Sequence, residues 1–181
     1  MSAIRTAVLI VLVFAQAAHA QANPDSIPEP PTEALSRLRP FLGAYVVSGQ
    51  YLGRDWAGTL DLRPAVHGWY VETEINVHSG PIDRQLRMMI TWDPAAERYR
   101  IWRFETMPAS PKDRAEGMGW FEGNQFVMEW REPAPDGAPG RFRNRFRMVG
   151  RDSLEIISEG ERDNGAGGVI RIGVTAARRR M

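Results

Sequence analysis

The sequence predicts an all-β protein, a single antiparallel up-and-down barrel of about 8–10 strands with a short N-terminal helix capping one end. About ten segments alternate apolar and polar residues, and turns rich in Gly, Pro, Asp and Asn separate them. A helical pattern occurs at the start of the series and not within it. A meander of this length removes its exposed edges when its first and last strands pair, so closure into a barrel is expected.

The N-terminus has the three parts of a secretory signal peptide over residues 1–20. Arg5 supplies the positive charge, residues 7–15 are apolar, and Ala18-His19-Ala20 is a small-residue cleavage site before Gln21. The apolar run is too short to span a bilayer. We therefore expect an exported protein, periplasmic or secreted, with no membrane insertion after cleavage near Ala20-Gln21.

The charge balance gives no indication of a nucleic-acid partner. Residues 1–20 hold Arg5 and no acidic residue, so cleavage leaves 22 of the 23 basic side chains against all 22 acidic ones. The chain has no cysteine, so a packed core has to stabilise the fold. Residues 21–31 form a proline-rich tail that we expect to be disordered, and residues 32–181 the barrel domain.

The predicted helix covers residues 33–39. Thr32 is the expected N-cap, Leu35, Leu38 and Leu42 share one face, and Pro40 ends the helix. Ten strand patterns then follow in succession, at residues 44–52, 56–63, 69–78, 84–92, 98–105, 117–121, 124–131, 141–148, 153–159 and 169–175.

The late hairpins have a predictable register. Pairing Arg131 with Arg141 sets Trp130 opposite Phe142 and Phe126 opposite Phe146, so the apolar faces coincide. The three-residue loop at 150–152 then sets Leu154 opposite Met148, Ile156 opposite Phe146, Glu155 opposite Arg147 and Glu159 opposite Arg143. A slip by one residue would reverse every face. The register of 84–92 against 98–105 stays open, because each of two registers leaves an arginine beside apolar groups.

Short motifs, taken in their order along the chain, resemble a bacterial lipocalin-like family of the calycin superfamily. They are Phe41-Leu42-Gly43-Ala44-Tyr45, His67-Gly68-Trp69, Trp92-Asp93-Pro94 followed by Tyr99 and Trp102, and Gly119, Phe121 and Gly123 in one turn. The lipocalin hallmark Gly-x-Trp has Tyr45 in place of tryptophan here. The resemblance implies a barrel that binds a small molecule, with Arg178 or Arg179 packed over the Tyr45 ring.

The barrel is also broadly similar to nitrobindin-like haem proteins, which need a histidine ligand on a late strand. This chain has no histidine after His78. We therefore predict no haem and no other cofactor.

The predicted partner is a small hydrophobic or amphipathic ligand inside the barrel. The aromatic and methionine residues are expected to line the interior: Trp69, Trp92, Trp102, Trp120, Trp130, Phe104, Phe126, Phe142, Phe146, Met88 and Met128. Asn144 is the polar residue on that face, either to orient the ligand or to bond within the core. The candidate ligand-binding residues are Trp69, Met88, Trp102, Phe126, Trp130, Phe142 and Asn144. A filled core without a ligand is the alternative.

Two further patterns have a functional and a structural interpretation. Glu72, Glu74 and His78 share a strand face and could perform acid–base chemistry or hold a metal, but a solvated outer face is the simpler interpretation. Arg141, Arg143, Arg145 and Arg147 could follow a phosphate backbone, but a charge ladder with the facing glutamates is the simpler interpretation. We predict neither a metal site nor a catalytic group, and His67 is expected in a turn.

Overall fold

The computed structural model describes the backbone of residues 29–51, 54–80, 82–106, 114–133, 139–162 and 170–178. The predicted signal peptide and residues 21–28 of the predicted tail lie outside these ranges, as do the predicted contact of Arg179 with Tyr45 and the side chain of Arg178. Those expectations remain predictions.

The described chain holds one short α-helix followed by ten strands. Helix α1 is Thr32–Ser36, and short 3-10 helices occupy Arg39–Phe41 and Val66–Gly68. The strands are β1 Gly43–Tyr51, β2 Arg54–Ala65, β3 Tyr70–Ser79, β4 Ile82–Asp93, β5 Arg98–Thr106, β6 Arg114–Glu122, β7 Gln125–Pro133, β8 Pro139–Val149, β9 Ser153–Arg162 and β10 Ile170–Arg178. No helix in these ranges is long and apolar enough to cross a membrane.

The strands form one closed antiparallel barrel. Each strand pairs with its neighbours in sequence, and β1 also pairs with β10, with Tyr45 opposite Arg178. The predicted fold class is confirmed. Closure gives every strand two hydrogen-bonded neighbours, so no strand presents an open edge.

The register of the late hairpins is confirmed. Trp130 faces Phe142 and Phe126 faces Phe146 between β7 and β8. Ile156 faces Phe146 and Glu155 faces Arg147 between β8 and β9. The apolar and charged faces therefore coincide across three strands, as cross-strand pairing requires.

The start of the chain differs from its prediction in two details. Thr32 is the first helical residue rather than the N-cap, because Pro31 occupies the cap position and no side chain caps the helix. The α-helix ends at Ser36, and Pro40 lies inside the 3-10 helix that follows, where its missing N–H costs no helical hydrogen bond.

These helical turns close one end of the barrel. Leu35, Leu38 and Phe41 are buried against the core. The Tyr99 hydroxyl donates a hydrogen bond to the Ala34 carbonyl at 2.6 Å, and the Tyr45 hydroxyl donates to the Phe41 carbonyl at 2.9 Å. We call this end the plugged end and the opposite end, where β1 leads into β2 and β3 into β4 and the described residues include no helix, the open end.

The pairing of β4 with β5 settles the register that the sequence left open. Ile90 faces Ile101 and Met88 faces Arg103, and the side chains of all four are buried. Strand β5 therefore turns Tyr99, Ile101, Arg103 and Glu105 inward, and an arginine lies inside the barrel.

The same register corrects three interior assignments. Trp102 and Phe104 alternate with buried Ile101 and Arg103, so they lie on the outer face, where Trp102 packs on Tyr70 with ring centroids 6.1 Å apart. Trp120 also points outward, and the guanidiniums of Arg98 and Arg143 lie over its ring. The prediction that these rings line the interior is wrong, since the strand period places them opposite the core.

Candidate functional site

The interior beside the plugged end is filled with side chains. The enclosed cavity there measures about 10 Å³, and Leu38, Phe41, Phe126 and Met128 are among the residues that line it. A single water needs roughly 10–15 Å³ measured in this way, so the space admits a water and no larger ligand. Thr73 supplies the polar atom in the wall, and its buried Oγ1 makes no hydrogen bond to any described residue.

The inward-facing charges lie in the other half, towards the open end. Glu105 forms an ion pair with Arg103 and another with Arg84. The Arg103 side chain is 8% exposed and the Arg84 side chain 41%. A buried guanidinium needs such a partner, because removing an isolated charge from water costs on the order of several kcal/mol.

An aromatic shelf, formed by Trp130 and Phe142, lies next to these charges. The two rings are stacked, with centroids 6.1 Å apart and planes 14° from parallel. The guanidinium of Arg103 lies 5.1 Å from the centroid of Trp130, within range of a cation–π contact.

Two glycines make room for the shelf. A Cβ on Gly160 would lie 2.9 Å from Cε1 of Phe142, and a Cβ on Gly117 would lie 2.5 Å from the Glu129 carbonyl oxygen and 3.0 Å from Cβ of Trp130. Real side chains do not approach so closely, so both rings depend on the absence of a side chain on the neighbouring strand.

One donor in the shelf has no acceptor among the described residues. The indole Nε1 of Trp130 is buried, and none of these residues accepts a hydrogen bond from it. A buried N–H that loses its water partner without replacement costs about 1–3 kcal/mol, so the site would gain from any acceptor that reached it.

The predicted ligand-binding residues divide between this region, the filled half and the outside. Trp130 and Phe142 form the shelf, and Asn144 lies one inward step along β8, opposite Met128 and Ser158. Met88 and Phe126 belong to the buried core.

The other two predicted residues lie elsewhere. Trp69 lies half-buried at the turn before β3, and its carbonyl accepts a hydrogen bond from the Thr91 hydroxyl at 2.7 Å. Trp102 is on the outer face, as described above. Neither position faces the interior of the open half.

The charged cluster was not identified from the sequence. Arg84, Arg103 and Glu105 lie on strands whose inward faces the sequence left open, because each of the two possible registers leaves one arginine beside apolar groups. Ile101 carried a usable signal, since an isoleucine flanked by arginine and tryptophan is buried more often than either neighbour. Alternation from Ile101 places Arg103 and Glu105 inside.

The glutamate and histidine pattern on β3 lies outside the barrel. Glu72 accepts from Arg63 at 2.9 Å and pairs with Arg87 at 3.2 Å. Hydrogen bonds from Asn76 and Gln85, with Arg87 and Arg63 nearby, hold the pKa of the Glu74 carboxyl below its usual value. A general acid requires the opposite shift, so this arrangement favours a charged surface network.

The two histidines of the described chain also lie at the surface. His78 Nδ1 lies 2.5 Å from Asp83 at the rim, and His67 is exposed in the 3-10 turn. No group of three metal-ligating side chains occurs in the described residues.

The arginine strand is a charge ladder on the outer face. Arg143 donates to Glu129 at 2.6 Å, and Arg147 pairs with Glu155 at 2.6 Å. Arg145 pairs with Glu159, and Arg141 lies 3.7 Å from Glu129. Each arginine of the row has a carboxylate partner, which removes the basis for a phosphate-binding track.

Comparison with known proteins finds a shared fold and no family. No protein-family model matches the chain, and no curated protein matches it. An S-type phycobiliprotein lyase from Guillardia theta is similar in structure, with a TM-score of 0.50 at 12% identity, covering 82% of this chain and 93% of that chain. A de novo designed fluorescence-activating β-barrel aligns with a TM-score of 0.41 at 14% identity, covering 78% of this chain and 95% of that chain.

Proposed function

We propose that this protein is an exported barrel that binds a small apolar or amphipathic molecule in the half of its interior towards the open end. The observation that carries the proposal is the aromatic shelf of Trp130 and Phe142, whose indole N–H is buried with no acceptor in the part of the chain that the structure describes. Desolvation of an apolar ligand against these rings would supply the binding energy, and a ligand oxygen would satisfy the indole.

The half beside the plugged end does not take part in this proposal. Its cavity of about 10 Å³ supports a structural role for that half, which holds the plug and the strand ends together. A barrel filled throughout, with an interaction or structural role and no ligand, is the competing function.

We also propose that the chain belongs to the calycin superfamily. Support comes from the order of the motifs along the chain and from the Tyr45 ring, which is fully buried at the plugged end at the position of the lipocalin tryptophan. A deeper set of related sequences with tryptophan at this position would support the assignment.

Native mass spectrometry of the protein purified from its own cells tests ligand binding. The proposal expects an added mass under native conditions that disappears on denaturation. Phe142→Ala on the shelf should lose this mass, whereas Phe104→Ala on the outer face should keep it. A bare polypeptide mass in the wild type would favour the filled barrel. An ultraviolet–visible spectrum of the same sample tests the prediction of no haem, which a Soret band would contradict.

Export has a separate test. Cell fractionation should place the chain outside the cytoplasm, and N-terminal sequencing should begin at Gln21. A cytoplasmic chain that begins at Met1 or Ser2 would remove export from the proposal and leave ligand binding unaffected.

A further inference from the structure

We propose that the bound molecule carries a carboxylate, which Arg84 binds, while its apolar body packs against the shelf of Trp130 and Phe142. This inference rests on the proposed ligand-binding function and narrows the ligand to an amphipathic monocarboxylate. Its evidence comes from the charges and donors in the open half.

The inner face of the open half presents guanidiniums to a ligand. Arg84 and Arg103 both face inward there, and each pairs with the carboxylate of Glu105. Charges interact more strongly in such an interior than in water, so a ligand carboxylate would be attracted to Arg84 and a ligand cation repelled by it.

Arg84 has donors available for that carboxylate. Its Nε donates to Glu105, and in the described part of the chain its two terminal nitrogens make no hydrogen bond. A guanidinium presents these terminal N–H groups in a fixed fork that matches the two oxygens of a carboxylate.

Arg84 is also the accessible member of the cluster. Its side chain is 41% exposed, against 8% for Arg103, and it stands near the start of β4, at the open end. A ligand that enters from that end meets Arg84 first. Arg103, which contacts both Glu105 and the Trp130 ring, connects this position with the shelf.

The polar groups around the shelf are uncharged hydrogen-bond donors and acceptors. Asn144 and Ser158 face each other across β8 and β9 on the inner face, and Trp130 contributes its N–H. The open half thus combines an aromatic surface, neutral polar groups and an accessible guanidinium, a set that fits an apolar body with a single anionic group.

The test is a fluorescence titration of the purified protein with pyrenebutyrate and with its uncharged methyl ester. The wild type should bind the carboxylate at least about tenfold more tightly than the ester, because charge-assisted hydrogen bonds to a carboxylate contribute on this scale. Arg84→Gln should abolish the preference without abolishing ester binding. Glu105→Gln should strengthen binding of the carboxylate probe, because the Glu105 carboxylate then no longer competes with the probe for Arg84.

Arg87→Gln is the matched control. Arg87 lies on the same strand, its side chain is 51% exposed, and it pairs with Glu72 and Glu74 on the outer face. The Arg87→Gln variant should keep the wild-type preference for the carboxylate over the ester. An equal loss in Arg87→Gln would show attraction by surface charge and overturn the assignment to Arg84. Equal affinity of the wild type for both probes, or binding of neither probe, would overturn the carboxylate assignment. Ligand binding itself is decided separately by the native mass measurement.

Discussion

Two tyrosine hydroxyls tie the N-terminal plug to the barrel. Tyr99 is 1% exposed and donates to Ala34, and Tyr45, with no exposed surface, donates to Phe41. Desolvation by burial raises the pKa of the Tyr99 phenol, although the charge of Arg37 opposes the shift. The protonated phenol is therefore the form that the folded state favours.

Tyr99→Phe tests this contact. Because the folded pKa lies above the unfolded one, the contribution of the Tyr99 phenol is complete below pH about 10 and is lost as pH rises through the folded pKa. The free energy of unfolding of the wild type should fall in that alkaline window, and the variant should fall less steeply. At neutral pH the variant should lose about 0.5–1.5 kcal/mol with its hydrogen bond.

Urea unfolding at a series of pH values measures both effects. Tyr70→Phe on the outer face is the control for the loss of a phenol hydroxyl at neutral pH. An alkaline slope in Tyr99→Phe equal to that of the wild type would contradict the role given to Tyr99.

The strand registers show which parts of the fold the alternation of apolar and charged residues determines by itself. The β7–β8–β9 registers followed from the sequence because apolar residues and opposite charges both fixed the same alignment, as for Trp130 opposite Phe142 and Glu129 opposite Arg143. The β4–β5 register did not follow. Its inner face carries Arg103 between apolar neighbours, and the partner Glu105 and the ring of Trp130, brought close by the closed barrel, stabilise the buried guanidinium.

The site residues that the sequence identified differ from those that it missed in the same way. The shelf and Asn144 lie on strands with clear alternation, whereas Arg84, Arg103 and Glu105 depend on contacts between distant strands. The prediction placed Trp102, Phe104 and Trp120 inside because large aromatic rings are usually buried. On these strands the alternate residues face the core, so the three rings lie outside.

Strand β6 offers a test of the shelf. Gly117→Ala should destabilise the fold by about 1–3 kcal/mol, since its Cβ would lie 2.5 Å from the backbone oxygen of Glu129, which cannot swing aside as a side chain can. Met118→Ala, at the adjacent outward position, should cost less. Chemical denaturation compares the two, and equal losses would show that Gly117 is not required for close packing.

The helical plug has its own test. Leu38→Ala should cost about 2–5 kcal/mol, because Leu38 is 3% exposed and lines a cavity that is already present. Leu42→Ala, at a half-buried neighbouring position, should cost less. Thermal unfolding of both variants gives the comparison, and a Leu38→Ala protein as stable as the wild type would mean that the plug contributes little to the fold.

The whole molecule is a closed barrel with two unlike halves. Near the plug, aromatic and aliphatic side chains fill the interior and leave about 10 Å³. Towards the open end, the interior carries an ion-paired cluster, a stacked pair of rings and an indole without an acceptor. Outside, ion pairs such as those of Arg143 and Arg147 contribute about 0–1 kcal/mol each, so the core provides most of the stability. With the function proposed above, one half of the barrel stabilises the fold and the other half binds the ligand.

The most direct test of that division uses the indole N–H resonances of the six tryptophans. These signals, assigned by single Trp→Phe variants, are followed by NMR during a titration with pyrenebutyrate. We expect the Trp130 signal to shift markedly, while the signals of Trp102 and Trp120, on the outer face, stay in place. Shifts at Trp102 or Trp120 with Trp130 unmoved would contradict it, because the ligand would then lie on the outside of the barrel.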